Sequence, residues 1–146
     1  KLLIKDYPDN PVFQKYYGTI FVRQNDYASA QKVFRNVLDK VKKGYPAYND
    51  RFEREAEYYI GMHHREKGNL DSTIYYLSKS VAISRVIEKD EPKGFLIMGS
   101  LYLAMAYDQA GRRQEAIKLY KEILDYPDRS NSRKLAEQYL KTPYKD

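Results

Sequence analysis

The sequence predicts an all-α fold, an α-solenoid of stacked antiparallel helix hairpins, and three observations carry that expectation. Residues of matching chemistry recur at a spacing of 43 along the chain. Each recurring unit holds two segments with apolar residues at helical spacing, separated by a turn residue. The composition, 42% hydrophobic and 32% charged, is ordinary for a helical protein. A fixed period on this scale marks a repeat architecture, in which each hairpin buries its apolar face against its neighbours.

Six columns define the period. Tyr16, Tyr59 and Tyr102 stand 43 residues apart, as do the turn residues Asn25, Gly68 and Gly111. Ala30, Thr73 and Ala116 form a third column, Phe34, Leu77 and Tyr120 a fourth, and Leu38, Val81 and Leu124 a fifth. Gly18, Gly61 and Ala104 form the sixth, small residues where two helices must approach closely. A single recurring Tyr would be chance in a chain with sixteen of them, but six compatible columns are not.

The elements follow in order. Residues 1–9 are expected to end a preceding repeat, because DYPDNP from Asp6 echoes DYPDRS from Asp125, which follows a second helix. Leu2, Leu3 and Ile4 would then be that earlier helix's last turn. The repeat domain covers residues 10–146. Its first unit, 11–44, opens with Asn10 as N-cap and Pro11 at the first helical position, where a missing N–H costs nothing. Asp26 caps its second helix, roughly 18 residues or about 27 Å long. The second unit, 49–89, follows KKGYPAYND and the third, 91–126, follows IEKDEP, with Pro46 and Pro92 ending one helix or opening the next. In the third unit EPKGFLIMGSLYLAMAYDQAG reads as an apolar-rich helix closing at Gly111. RRQEAIKLYKEIL then places Ala116, Ile117, Tyr120, Ile123 and Leu124 on one face, with Lys118, Lys121 and Glu122 outward. A capping helix over 131–141 turns Leu135, Ala136, Tyr139 and Leu140 inward.

Composition narrows the function classes. No apolar stretch is long enough to span a bilayer, and the first residues lack the apolar core and cleavage site of a signal peptide. The absence of cysteine excludes disulfides and thiolate metal sites, and leaves cytoplasmic and periplasmic or envelope locations both open. The formal charge of +6 arises from 26 basic residues interleaved with 20 acidic ones, not from a basic run, which argues against a nucleic-acid surface. Sixteen tyrosines, against no tryptophan and five phenylalanines, suit half-buried positions between helices, because Tyr joins an apolar ring to a polar tip.

These columns resemble the tetratricopeptide repeat, a helix hairpin of about 34 residues. The third unit carries the resemblance best, with Leu103 and Ala104, Tyr107, the turn Gly111, Ala116 and Tyr120 in the family's order. Gly61, Gly68 and Leu77 follow in the second unit, and Gly18, Ala30 and Phe34 in the first, so the likeness spans residues 11–140. It implies a right-handed superhelix that binds a protein or peptide, with no catalytic site and no cofactor. Two departures stand out. The unit is longer than the family's, and Gln14, Glu57 and Ser100 occupy a position that is usually aromatic, the Tyr column falling two residues later. The YPDNP junction is similar to that of bacterial envelope members of the family.

The resemblance also implies a concave groove lined by the first helix of each hairpin. Carried along matching registers, it would present Lys15, Tyr16, Thr19 and Arg23, then Tyr58, Tyr59, Met62 and Arg65, then Tyr102, Met105, Asp108 and Gln109. Tyr and Met offer broad apolar contact, while Lys15, Arg23 and Arg65 could pair with an acidic group of a partner. The alternative is that the Tyr column packs between hairpins and the basic residues are solvated. The clamp with which some relatives hold a terminal carboxylate is not expected. Only Lys15 matches it, since Thr19 and Tyr59 replace its Asn residues and Met98 and Tyr102 its final basic pair.

Catalytic and metal patterns are thin. His63 and His64 point about 100° apart on a helix and cannot chelate one ion in the i, i+4 manner; one is expected in the core and one in solvent. GMHHREKG from Gly61 continues to Asn rather than to the Lys-Ser/Thr of a phosphate loop. Glu53, Glu55 and Glu57, alternating with Arg51 and Arg54, are expected to form a solvated face at a helix start. The expected function is a scaffold for a peptide or helical partner. A structural or regulatory repeat that docks on its own chain or self-associates is the alternative, and RNA binding rests on net charge alone.

Overall fold

The computed structural model describes residues 5–146, so Leu2, Leu3 and Ile4 lie outside it. Among the described residues seven helices follow one another and no strand occurs: α1 (Pro11–Arg23), α2 (Tyr27–Lys42), α3 (Asp50–Glu66), α4 (Leu70–Ile87), α5 (Gly94–Gln109), α6 (Arg113–Leu124) and α7 (Ser132–Lys141). Side-chain caps start three of them. Asn10 Oδ1 accepts from the N–H of Val12 at 2.9 Å, Asp26 from Ser29 at 3.0 Å and Asn49 from Arg51 at 3.1 Å. α5 starts only at Gly94. Pro92 disfavours a helical Glu91 before it, and Lys93 is extended with φ −129°.

The turn column closes all three hairpins in one way. Asn25, Gly68 and Gly111 adopt φ of +58°, +75° and +76°. The next residue's N–H then reaches back to the helix: Asp26 to the Phe21 carbonyl, Asn69 to His64 and Arg112 to Tyr107, at 2.8–3.0 Å. This is the left-handed closure that satisfies the last carbonyls of a helix. Asn can enter this region with its short polar side chain, which explains why one of the three is not glycine.

Each helix packs on its chain neighbours. The first helices α1, α3, α5 and α7 also touch one another in succession, whereas α2, α4 and α6 come to no backbone contact among themselves. The first helices therefore lie on the inner side of the stack. Between the two helices of each hairpin the recurring columns meet. Ala30, Thr73 and Ala116 have no exposed area, and Phe34, Leu77 and Tyr120 have at most 1%. A Cβ at Gly18 would stand 2.6 Å from the tip of the Phe34 ring, and one at Gly61 2.9 Å from Leu77 Cγ. In the third unit Ala104 and Tyr120 take these places, both fully buried.

The acidic stretch at the start of α3 is not a solvated face. Glu55 and Glu57 are 6% and 2% exposed, because α3 is flanked by α2 and α4 on one side and by α1 and α5 on the other. Glu55 is held by Lys15 Nζ at 2.9 Å. Glu57 has only Lys79 at 3.9 Å on one oxygen, and its other oxygen has no partner among the described residues. Burial, with Glu53 beside it, pushes its carboxyl up to about 8, against the weaker opposing pull of Lys79 and Lys42. The histidines also differ from expectation. His63 and His64 are both half-buried and neither enters the core. His64 stacks on Tyr76 at 5.5 Å and meets the Arg35 guanidinium at 3.2 Å, and burial lowers the affinity of both imidazoles for a proton.

Two outcomes are expected. Gly18→Ala adds helix propensity of about 1 kcal/mol, yet drives a Cβ into the Phe34 ring. A net loss of about 1–2 kcal/mol is expected in urea unfolding, and it shrinks when Phe34→Leu is introduced beside it. Glu57 ionises near pH 4.5 in the unfolded chain but keeps its proton in the fold until about pH 8. The unfolded state therefore binds fewer protons across that window, and stability falls as pH rises through it. Glu57→Gln should flatten the dependence of Tm on pH over this range and exceed the parent above pH 8; parallel curves would contradict the assignment.

Candidate functional site

The inner side of the stack opens into a cleft of about 550 Å³ between α1, α3 and α5. Its floor is aromatic. Tyr58, Tyr59 and Phe95 meet edge to face, with Tyr58 5.3 Å and Tyr59 6.0 Å from the Phe95 centroid. Phe34 of α2 stacks against Tyr59 at 4.8 Å, which anchors that ring to the hairpin core. Met98, one turn along α5, extends the apolar surface. Burial raises the Tyr59 phenol to about 12, and burial with Tyr102 nearby raises Tyr58 further, so both stay neutral donors at physiological pH.

Charged groups ring this floor. Lys15 and Glu55 pair across the α1–α3 gap. Arg54 lies over the Phe95 ring, its guanidinium 4.9 Å from the centroid, and pairs with Glu88 at the end of α4. Glu88 Oε1 in turn accepts the N–H groups of Lys93 and Leu96, which caps the start of α5 in place of an N-cap side chain. Arg129, from the connection between α6 and α7, lies against Gly94, where an added Cβ would be 3.0 Å from its Nε.

The groove positions expected from sequence divide into four groups. Lys15, Tyr58 and Tyr59 line the cleft. Tyr16, 62% exposed, and Arg23 face solvent on α1, and the Thr19 hydroxyl donates to the Tyr16 carbonyl. Met62 and Met105 are buried in the core. Arg65, Asp108 and Gln109 gather at the other end of α3 and α5 beside the chain's own C-terminal residues, and Tyr102 lies under the Arg65 guanidinium. Of the residues around the cleft, the groove registers had not pointed to Arg54, Glu55, Glu88, Phe95, Met98 or Arg129. Met98 had a signal in the clamp register; Arg129 had none, because it belongs to no hairpin.

That covered end has a specific construction. Thr142 leaves α7 in an extended conformation. The N–H of Tyr144 donates to Asp108 Oδ2 at 2.9 Å, its ring meets Tyr139 edge to face at 5.2 Å, and its hydroxyl reaches Arg65. The Asp108 side chain is fully buried and also accepts from Arg113 at 3.0 Å and from the Tyr120 hydroxyl at 2.9 Å. Arg113 continues to the Leu140 carbonyl at 2.9 Å, which ties α6 to the end of α7. Arg65 lies over the Tyr102 ring at 4.8 Å.

Among the described residues no group of three or more metal-binding side chains converges, and no helix is long and apolar enough to cross a membrane. Residues 99–129, which hold Ala104, Gly111, Ala116 and Tyr120, match the family model described as Tetratricopeptide repeat. That repeat is in general a non-catalytic scaffold for protein–protein interaction. No curated protein matches the chain.

Proposed function

We propose that this chain, a tetratricopeptide-type repeat protein by its matched segment and its seven-helix fold, takes an extended peptide segment of a partner protein into the cleft between α1, α3 and α5. The observation that carries this reading is the far end of the same inner surface. There an extended segment of the chain itself lies across α3 and α5, held through a backbone N–H on Asp108 and an aromatic ring beside Arg65. The cleft offers the same materials in accessible form, an aromatic floor of Tyr58, Tyr59 and Phe95 with charged groups at its rim. Rigid aromatic anchors in a concave site favour segment binding at low entropic cost.

A second reading rests on α1. Val12, Tyr16 and Ile20 are 42%, 62% and 46% exposed and recur every four residues, an apolar stripe along the exposed face of α1. Such a stripe suits the stacking of one further hairpin, supplied by a longer chain of this protein or by a second copy.

Panning a display library of linear peptides against the chain tests the first reading. Enriched peptides should shift the amides of α3 and the first turn of α5, and Phe95→Ala should weaken them about tenfold or more while helicity is unchanged. Binders that map elsewhere would sink it. Light scattering tests the second: a second copy on the stripe gives a mass that rises with concentration and reverts with Tyr16→Glu. A constant monomer mass leaves stacking within one chain.

A further inference from the structure

The polarity of the cleft points to what it selects. Four cations and two carboxylates line it, and both carboxylates are engaged, Glu55 by Lys15 and Glu88 by Arg54. Lys93 meets only Glu91, 3.7 Å away with both side chains largely in solvent. Arg129 is exposed and has no ion pair among the described residues. The guanidinium lies across the first turn of α5, with Nε, Cζ and Nη2 at 3.0, 3.1 and 3.2 Å from where a Cβ of residue 94 would be. A Cβ at that position would make the guanidinium give by a few tenths of an ångström.

A planar group of unpaired donors next to an apolar depression is matched by a carboxylate adjoining an apolar side chain. Resting on the peptide-cleft reading, we propose that the cleft selects segments of a partner protein in which Asp or Glu neighbours an aliphatic or aromatic residue. Arg129 receives the carboxylate, and Tyr58, Tyr59 and Phe95 receive the apolar side chain. The cleft volume, about 550 Å³, lies within the range of ligand clefts, roughly 300–1000 Å³. Arg129 reaches the cleft from the connection before α7, so recognition of the acidic residue depends on the docking of that helix, whose Ala136 is fully buried.

The peptides that the library yields against the parent chain, against Arg129→Glu and against Gly94→Ala provide the test. Peptides enriched on the parent should carry Asp or Glu beside an apolar residue. Those acidic peptides should lose about tenfold in affinity for Arg129→Glu, on which Lys- or Arg-bearing peptides should enrich instead. Gly94→Ala, which keeps the charge but shifts the guanidinium by a few tenths of an ångström, should weaken the same peptides by less than Arg129→Glu, with helicity intact. Cleft-mapped peptides without an acidic bias, or with affinity unchanged in both variants, overturn the selectivity and leave the cleft reading standing. Peptides that never map to the cleft overturn both, as does a single-stranded oligonucleotide that outcompetes the acidic peptides at the same amides.

Discussion

Two helices of a hairpin approach only as closely as the bulkiest pair across their interface allows, and here that pair is a missing side chain against a large one. Gly18 faces the Phe34 ring and Gly61 faces Leu77, at distances that a Cβ would violate. The close approach brings α1 onto α2 and α3 onto α4, and the left-handed turns at Asn25 and Gly68 join each pair without a longer loop. The Phe34 ring then does a second job. It stacks on Tyr59 of the next hairpin, so the contact that closes one unit also positions an aromatic wall of the cleft.

The central helix α3 shows what stacking imposes on a polar sequence. Packed on both sides, it carries Glu55 and Glu57 into the interior with unequal compensation, a close Lys15 for the first and a distant Lys79 for the second. Glu57 belongs to a column with Gln14 and Ser100, all three buried although none is apolar. Gln14 satisfies its amide on the Pro8 carbonyl at 2.7 Å, while one Glu57 oxygen and the Ser100 hydroxyl have no partner among the described residues. The amide fits that site by finding a partner, and the Glu57 carboxyl by keeping its proton, since a buried charge without close pairing costs far more than a buried neutral group.

At the two ends of the inner surface the same helices present opposite situations. Near the C-terminal ends of α3 and α5, Asp108 gathers donors from α6 and from the extended tail, and Arg65, lying over the Tyr102 ring, reaches the Tyr144 hydroxyl. Near their N-terminal ends no segment of the described chain covers the aromatic floor, and the charges there are paired except where Arg129 enters. One surface thus combines an occupied part, fixed by a fully buried carboxylate, with an accessible part of complementary chemistry.

The helices, their turns and the columns that pack between them were legible in the sequence, because each follows from local spacing. Positive φ favours Gly or Asn, a side-chain cap offers an oxygen, and a close crossing favours a small residue, so Asn25, Asn10 and Gly18 announce their roles unaided, whereas Ala47 and Ser130, also at positive φ, do not. The inner groove was legible only in part, through Lys15, Tyr58 and Tyr59. Tertiary structure decided the rest, because exposure depends on which surfaces later helices cover. α7 and the tail cover the Asp108 end, neighbours on both sides bury Glu55 and Glu57, and the path of the α6–α7 connection delivers Arg129 to Gly94, thirty-five residues earlier in the chain. A repeat period records how each hairpin folds, and the distances between residues that never share a hairpin appear only once the hairpins are stacked.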